Sequence, residues 1–543
     1  MLLSRGSLAV RVIALLVAGL PMVAPLASVA AVETPSLTAP HPGPGDTDPA
    51  LYTPVLAGDR EDVYAATAGR LTRYKIAATL TPAGDQPAIV AGTLDLSYYN
   101  GTGEAQRALY LRLYPNDDIY GDGGQTLDSV TVNGANVTPA LSVADTVAEI
   151  ALPEAVEPQA TVDLRATFTT TIPTDPHQGY GMFGFDAQSG MYALAHWEPL
   201  LAGYDPVDGW KLDPPSVNGD PVFTNAALYD VGLTVPDDLT VVTTGAESGP
   251  TVRADGLARH HFVSGPVRDF VMAIDADLQS VSEDVDGTTV RSWYQPGAEE
   301  AGQNVLRYGA QALAVYGKLF GVYPYAELDI VEVDLRNAGG VEFPQITFIE
   351  SDLYDPNNSI ARRDPDTLEF DVAHEVGHQW WYGLVGNDQY EHAFIDEGLT
   401  NYSTTVYFGE EYGAEKAQEQ VDRNLKLWYF YMLFGGGGDQ VVDRPTDDFS
   451  SQGKYGSTIY GKGALGFGAI REAIGDDAYF AALRAYAADF RFKVATPDDL
   501  LAAFERASGQ DLGALWRHWF EATDGKQDYD RAEYSRLQRE YGG

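Results

Sequence analysis

The residues His374-Glu375-Val376-Gly377-His378 form an H-E-x-x-H pattern, in which two imidazoles stand four positions apart. In an α-helix, positions i and i+4 lie on one face, so both rings can reach one metal ion at roughly 2.0–2.1 Å. Glu375 lies beside them, where its carboxylate can accept a proton from a metal-activated water. If the segment is helical, the pattern predicts a metal-dependent hydrolytic centre.

The elements around the motif must position a third ligand. Apolar residues recur at helical spacing from Phe370 to Leu384, which predicts one helix over residues 368–384. A second helix, predicted over residues 396–409, begins beside Glu397, which follows His378 after eighteen residues. A catalytic zinc takes three protein ligands and keeps one position open. We therefore expect one Zn²⁺ held by His374, His378 and Glu397. The alternative is two solvated histidines and an unrelated surface glutamate.

The composition limits the other classes of function. The chain has 543 residues, with 35 Lys and Arg against 78 Asp and Glu, for a formal net charge of −43. Such an acidic surface repels phosphate and argues against nucleic acid as a partner. Cys is absent, so disulfides, thiol nucleophiles and Cys-ligated metals are excluded. The length, with 45% hydrophobic residues, predicts two or three domains with packed cores.

Residues 1–31 have the layout of a secretory signal peptide. Arg5 and Arg11 precede an apolar run that ends at Leu20, and small residues lead up to Ala31. We therefore expect export and a secreted, extracellular protein. A membrane anchor is the alternative, but the apolar run is too short to cross a bilayer and prolines follow it. No stable membrane insertion is predicted.

Four further segments follow along the chain. Residues 32–62 contain six prolines and few large apolar residues, which predicts a stiff, extended linker. Residues 63–276 show alternating runs such as Tyr110-Leu111-Arg112-Leu113-Tyr114, which indicate an antiparallel β domain. Residues 277–523 combine strand-like runs with long helical patterns and are predicted to form an α+β domain. Residues 524–543 are predicted to be a short polar tail, with no large C-terminal helical domain.

Together the motifs resemble a known family. H-E-x-x-H, eighteen residues and a Glu are typical of the thermolysin-clan zinc aminopeptidases, or gluzincins, the family of aminopeptidase N and leukotriene A hydrolase. Gly339-Gly340-Val341-Glu342-Phe343-Pro344 resembles the family's G-x-M-E-N motif, in the style of its shorter bacterial members. Tyr460-Gly461-Lys462-Gly463-Ala464 resembles its Y-x-K-G-A motif. The resemblance extends over roughly residues 70–521 and implies a thermolysin-like catalytic domain.

The resemblance also implies roles for the matched residues. Glu375 would be the general base, and Tyr460 would donate a hydrogen bond to the oxyanion of the tetrahedral intermediate. Glu342 would bind the free α-ammonium of a peptide, which makes the enzyme an aminopeptidase. Gly339 and Gly340 would let the substrate backbone approach the strand edge.

Two features depart from the family pattern or match it loosely. Val341 and Phe343 replace the usual Met and Asn, which leaves the detailed backbone contacts of the substrate open. In the β domain, His196-Trp197-Glu198-Pro199 lies where relatives carry a second amine-binding acid, so Glu198 is a candidate for substrate binding. A residue at the rim of the site is the alternative for Glu198.

The sequence thus predicts a secreted zinc aminopeptidase that removes N-terminal residues from peptides with a free N-terminus. Two alternatives remain open. One is a zinc endopeptidase of the same clan, and the other is a catalytically silent extracellular binding protein on the same fold. The pattern does not indicate an oligomeric state.

Overall fold

The computed structural model describes residues 45–84, 86–174, 181–220, 222–336 and 338–542. The predicted signal peptide and the first part of the predicted linker lie outside these residues. Residues 45–62 differ from the extended linker that the prolines predict. Leu51, Tyr52 and Val55 are buried there, and Val55 forms an antiparallel β-bridge with Tyr325. The few apolar side chains of this segment are enough to hold it against the core, since each one removes apolar area from water.

The β domain is built from alternating strands. Val162, Leu164, Ala166 and Phe168 are buried while their neighbours on the same strand are more exposed, so one face of that strand covers the core. The elements of this part are α1 (Arg60–Thr67), β1 (Thr72–Thr81), β2 (Ile89–Tyr99), β3 (Gln106–Arg112), β4 (Gly124–Val132), β5 (Ala135–Asn136), β6 (Ala140–Ser142), β7 (Val147–Val156), β8 (Thr161–Thr171), β9 (Phe183–Phe185), β10 (Tyr192–Leu194), β11 (Leu200–Leu201), β12 (Tyr204–Asp205), β13 (Gly209–Trp210), β14 (Ala227–Pro236), β15 (Thr240–Thr243), β16 (Ala246–Glu247), β17 (Val252–Ala254), β18 (Leu257–Val267) and β19 (Met272–Asp275).

These strands form one large sheet and three smaller ones. The nine-stranded sheet has the order β16-β18-β14-β1-β2-β8-β4-β5, with β17 also paired to β18. The others have the orders β15-β19-β10-β9, β11-β3-β7-β6 and β12-β13. Pairing is antiparallel as predicted, except that β1 and β14 run parallel.

The second part combines a mixed sheet with helices. Its elements are β20 (Gln279–Val285), β21 (Thr288–Tyr294), α2 (Glu299–Phe320), β22 (Glu327–Val333), β23 (Gly340–Phe343), β24 (Ile346–Glu350), α3 (Ser359–Arg363), α4 (Thr367–Gly377), β25 (Val385–Gly386), α5 (Glu397–Tyr412), α6 (Ala414–Gln420), α7 (Leu427–Gly435), α8 (Gln452–Gly456), α9 (Ala464–Ile474), α10 (Asp476–Asp489), β26 (Lys493–Val494), α11 (Pro497–Ser508), α12 (Gly513–Trp516) and α13 (Arg531–Tyr541). The five-stranded sheet has the order β20-β21-β22-β24-β23, so β23 is an edge strand. The predicted fold class, a β domain followed by an α+β domain, is confirmed.

Two predicted helix limits and the tail differ in the structure. Helix α4 ends at Gly377 rather than near residue 384, because the following backbone bonds at five-residue spacing, with Gly383 N donating to His378 O at 2.9 Å. Helix α5 runs to Tyr412, three residues past the predicted end. The tail contains α13, whose Tyr534 and Leu537 are buried. The tail is mostly polar, so its apolar residues did not predict a helix. Tyr534 and Leu537 are nevertheless three positions apart, and such positions lie on one face of a helix.

Arg268 joins the β domain to the catalytic part. Its buried guanidinium donates to Tyr382 O at 2.7 Å, Thr224 O at 2.9 Å and Lys493 O at 2.6 Å. The strand ends at Asp275 and Gln279 lie on either side of the predicted division at 276/277, which stays a prediction. None of the helices within residues 45–542, leaving out the few undescribed positions, has the length and apolarity needed to cross a bilayer.

Candidate active site

Helices α4 and α5 bring the three predicted ligands together. His374 Nε2 lies 3.0 Å from His378 Nε2, and Glu397 Oε2 lies 3.1 Å from the former and 3.3 Å from the latter. All three side chains are buried. Two ligands about 2.0–2.1 Å from a tetrahedral zinc are separated by about 3.3 Å, so this triangle has the size that a zinc ion requires. The donor set therefore fits one Zn²⁺.

Asp396 orients one of the imidazoles. Its Oδ1 lies 2.7 Å from His378 Nδ1, and its Oδ2 accepts a hydrogen bond from Gln389 Nε2 at 2.6 Å. With Nδ1 engaged by a carboxylate, Nε2 carries the lone pair and faces the other two ligands. Asp396 was not singled out as a functional residue in the sequence analysis. The feature of the sequence that could have identified Asp396 is its position, since it is a carboxylate directly before a predicted ligand at the start of a helix.

Gly340 and Gly339 make room for acids of helix α4. A Cβ atom at position 340 would lie 2.4 Å from Glu375 Cγ and Oε1, and one at position 339 would lie 2.6 Å from Asp371 Oδ2. A side chain at either position would require Glu375 or Asp371 to shift. The glycines therefore let strand β23 pass directly over Glu375, which adds to the predicted role of admitting a substrate backbone.

Glu342 extends from strand β23 toward His378. Its Oε1 lies 4.0 Å from His378 Nδ1, and its side chain is buried. Gln379, which follows His378, clamps the turn of the β23–β24 hairpin: its Nε2 donates to Phe343 O and its Oε1 accepts from Gln345 N, both at 2.9 Å. These two hydrogen bonds fix the distance between helix α4 and the hairpin that carries Glu342.

The β domain supplies a further carboxylate through a segment that we call the strap, residues 211–220. Three contacts hold the strap on the catalytic part: Lys211 Nζ lies 3.0 Å from Asp388 Oδ2, Asn218 Nδ2 donates to Thr446 O at 3.1 Å, and Val217 O accepts from Gln452 Nε2 at 3.1 Å. At the end of the strap, carboxylate oxygens of Asp220, Glu342 and Asp396 come within 4.8 Å of one another. Sequence reasoning missed Asp220, because nothing local marks it.

Tyr460 reaches the ligand triangle from the π-helical segment Ser457–Gly463. Its hydroxyl donates to Glu397 Oε1, and its ring centroid lies 5.9 Å from that of His374. Asn401 Nδ2 donates to Tyr460 O at 2.7 Å, while buried Lys462 lies 3.0 Å from Asp439 Oδ1 and anchors the segment. Helix α5 therefore positions both Glu397 and Tyr460.

Glu198 belongs to a different cluster. It is 1% exposed, and the ionisable groups that interact with it are Asp269, Tyr74 and Tyr229, all in the β domain. Burial raises its pKa well above the usual range. A carboxylate oxygen of Asp220 lies within 4.8 Å of one of Glu342, and the assignment of Glu198 to substrate binding stays a prediction.

The site is rich in carboxyl groups. Burial raises the pKa of Glu342 and of Glu375, and neighbouring carboxylates add to both effects. Burial also opposes the charged form of Glu397, but hydrogen bonds from His374 and His378 outweigh it and lower its pKa. The acids are Asp220, Glu342, Glu375, Asp396 and Glu397. Five carboxylates around two imidazoles create a site that favours cations.

Comparison with known proteins finds related sequences and similar folds. Residues 305–519 match the model of the "Peptidase family M1 domain". Aminopeptidase N of Acetobacter pasteurianus is 29% identical over 189 residues, 34% of this chain and 52% of that protein. Aminopeptidase M1-A of Oryza sativa subsp. japonica is 24% identical over 305 residues, 54% of this chain but 34% of that protein. The chain thus spans about a third of the length of the plant relative.

Solved structures of similar fold include an M1 zinc metallopeptidase from Deinococcus radiodurans. A mutant of that protein superposes with a TM-score of 0.62 at 20% identity, covering 83% of this chain and 94% of the other. A second structure, of a mutant bound to a Tyr-ser-ala substrate, has a TM-score of 0.59 at 19% identity and covers 84% and 95% of the two chains.

Proposed function

We propose that the protein is a secreted zinc aminopeptidase, because residues 305–519 match the model of the peptidase family M1 domain. It hydrolyses the first peptide bond of peptides whose amino terminus is free. The observation that carries the proposal is the position of Glu342. Its Oε1 lies 4.0 Å from Nδ1 of His378, a member of the ligand triangle. An anion beside a zinc site binds a positively charged group of the substrate, and the α-ammonium is the charge that every free peptide has.

Asp220 strengthens this anchor. Its carboxylate lies within 4.8 Å of that of Glu342, so one ammonium group can donate hydrogen bonds to both carboxylates. The strap that carries Asp220 rests on the catalytic part through Lys211 and Asn218, and it bounds the site on the side of Glu342. A chain end fits such a site better than the middle of a long peptide does, which favours an exopeptidase over an endopeptidase.

The remaining residues then divide the chemistry among them. A zinc ion held by His374, His378 and Glu397 would acidify a water and polarise the scissile carbonyl. Glu375 would accept a proton from the attacking water through its carboxylate and deliver that proton to the leaving amine. The Tyr460 hydroxyl donates a hydrogen bond to the substrate oxyanion. Strand β23, as a sheet edge, offers backbone groups to an extended peptide.

The Deinococcus neighbour, which was solved with a Tyr-ser-ala substrate, supports a peptide substrate for this chain. Secretion is proposed from the signal-like pattern of residues 1–31. N-terminal sequencing of the protein recovered from culture medium tests it. A first residue near position 31 or 32 supports cleavage and export, whereas a protein that stays in the cell with an intact leader contradicts them.

The central test uses alanyl-p-nitroanilide, a tripeptide and its N-acetylated form. We expect the zinc-loaded protein to cleave the anilide and the free tripeptide, to lose activity with chelator and to regain it with zinc. Glu375→Gln should lower kcat by roughly 10²–10⁴-fold while zinc content stays near one per chain. Asp477→Asn, at an exposed position of α10, is the control for the loss of one negative charge.

Two outcomes would favour the alternatives. Internal cleavage of the acetylated tripeptide at the rate of the free one indicates an endopeptidase. Equal turnover by the wild type and Glu375→Gln on every substrate indicates a binding protein without zinc-hydrolase activity.

A further inference from the structure

Helix α4 presents a row of three polar residues to strand β23. Asp371, Glu375 and His378 are spaced i, i+4 and i+7, so they lie on one face of the helix. Each has a counterpart on the strand side. A Cβ atom at position 339 would lie 2.6 Å from Asp371 Oδ2, one at position 340 would lie 2.4 Å from Glu375 Oε1, and Glu342 Oε1 lies 4.0 Å from His378 Nδ1. The helix and the strand segment therefore run past one another in the same direction, with a defined order of groups between them.

The order of these groups sets the direction in which a bound peptide would run along helix α4. The α-ammonium of the substrate binds at Glu342, and the scissile bond lies at Glu375. A peptide that continues from Glu342 past Glu375 next meets Asp371 and Gly339. That position belongs to the residue after the scissile bond, which is the second residue of the substrate and leaves with the product peptide.

Asp371 has no cationic partner in the described part of the chain. No described residue donates a hydrogen bond to it or forms an ion pair with it, and the charges that act on or near it are those of the acids Asp364 and Glu375. The side chain is half-buried, and burial raises its pKa to about 7. Asp364, in contrast, lies 2.9 Å from Arg423 Nη1. A half-buried carboxylate without a counter-ion, placed along the substrate path, is suited to a cationic group of the ligand.

We propose that Asp371 binds the cationic side chain of a lysine or arginine at the second position of the substrate and so makes the enzyme prefer such peptides. This inference rests on the proposed aminopeptidase function and defines its substrate class further. The inference depends on two features of Asp371: it lies close to Gly339, and it precedes Glu375 by one helical turn. Asp371 is thereby a specificity residue and takes no part in the proton transfers.

The test compares the tripeptides Ala-Lys-Ala, Ala-Leu-Ala and Ala-Glu-Ala at pH 8, where Asp371 is ionised. Each kcat/KM is divided by the value that the same protein gives on alanyl-p-nitroanilide, which has no second residue. For the wild type we expect the order Lys, Leu, Glu, with about fivefold between the first two. Asp371→Asn should bring the Lys/Leu ratio close to one, and Asp371→Lys should favour Glu.

Asp477→Asn is the matched control, since it removes the same charge from an exposed site on α10 and should leave the Lys/Leu ratio of the wild type unchanged. Glutamate in place of Asp371 should keep the order of the three peptides. A wild type that cleaves the Lys and Leu peptides equally overturns the inference, even if the asparagine variant fails to fold. So does an unchanged ratio in an active Asp371→Asn. Absence of anilide hydrolysis by the zinc-loaded wild type would instead contradict the proposed function.

Discussion

His378 Nδ1 lies 2.7 Å from Asp396 Oδ1, and Asp396 is the residue directly before Glu397. Two consecutive residues thus lie at one centre: Glu397 completes the predicted ligand triangle, and Asp396 contacts an imidazole that helix α4 supplies to it. The start of helix α5 is therefore a structural determinant of the whole site.

Replacing Asp396 by Asn should weaken zinc binding without abolishing the fold. The amide keeps the size of the carboxylate but loses the charge that holds the His378 tautomer, so we expect zinc affinity to fall by roughly tenfold to a hundredfold. Zinc retained against graded chelator concentrations measures it. Asp477→Asn serves as control, and an affinity equal to that of the wild type would show that Asp396 does not support the ligand.

Tyr460→Phe tests the hydroxyl that points into the ligand triangle. If it donates to the oxyanion only in the transition state, kcat should fall roughly 10²–10³-fold with little change in KM or zinc content. Tyr431→Phe, at a tyrosine that is 71% exposed, should behave like the wild type. A Tyr460→Phe enzyme that loses substrate affinity but keeps kcat would assign the hydroxyl to substrate binding instead.

Gly340→Ala should displace Glu375 or strand β23, because the new methyl group would lie 2.4 Å from Glu375 Cγ and Oε1. We expect a strong loss of kcat/KM, and a lower thermal midpoint if the strand moves. Gly317→Ala in helix α2 is the contrasting variant, since its Cβ meets no atom within 4 Å. That change should keep activity and raise stability by about 0.5–1 kcal/mol. Equal activities of the two alanine variants would refute the close-approach argument.

His392 should make stability depend on pH. Its Nδ1 lies 2.5 Å from Asp443 Oδ1, and although burial favours the neutral ring, this ion pair raises the pKa of His392 in the folded state. A raised pKa stabilises the folded protein fully below about pH 6.5, the usual value of histidine, and the contribution is lost as pH rises through the folded pKa. Denaturant unfolding of the wild type and His392→Gln from pH 5.5 to 8.5 measures the difference. It should shrink toward high pH, and a constant difference would contradict the linkage.

Much of the site is encoded locally. His374, Glu375 and His378 lie close together on helix α4 because of the 3.6-residue period alone. The start of the next helix beside Glu397 was also predicted from its own short segment. The β character of residues 63–276 follows from strict alternation. The predicted limits failed where the backbone changed its bonding pattern, as after Gly377, and where sparse apolar residues found a partner surface, as at Tyr52 and Tyr534.

The sequence by itself predicted the ligand triangle, Glu375 as the base, and the motif residues Glu342 and Tyr460, because each is marked by neighbours in a short segment. Only the tertiary structure decided that Asp220 lies near Glu342, that Gln379 clamps strand β23, and that Asp371 lies next to Gly339. These relationships connect residues far apart in the chain or on separate elements. They arise from the docking of the strap onto the catalytic part and of one sheet edge onto helix α4, and periodic sequence patterns do not report such docking.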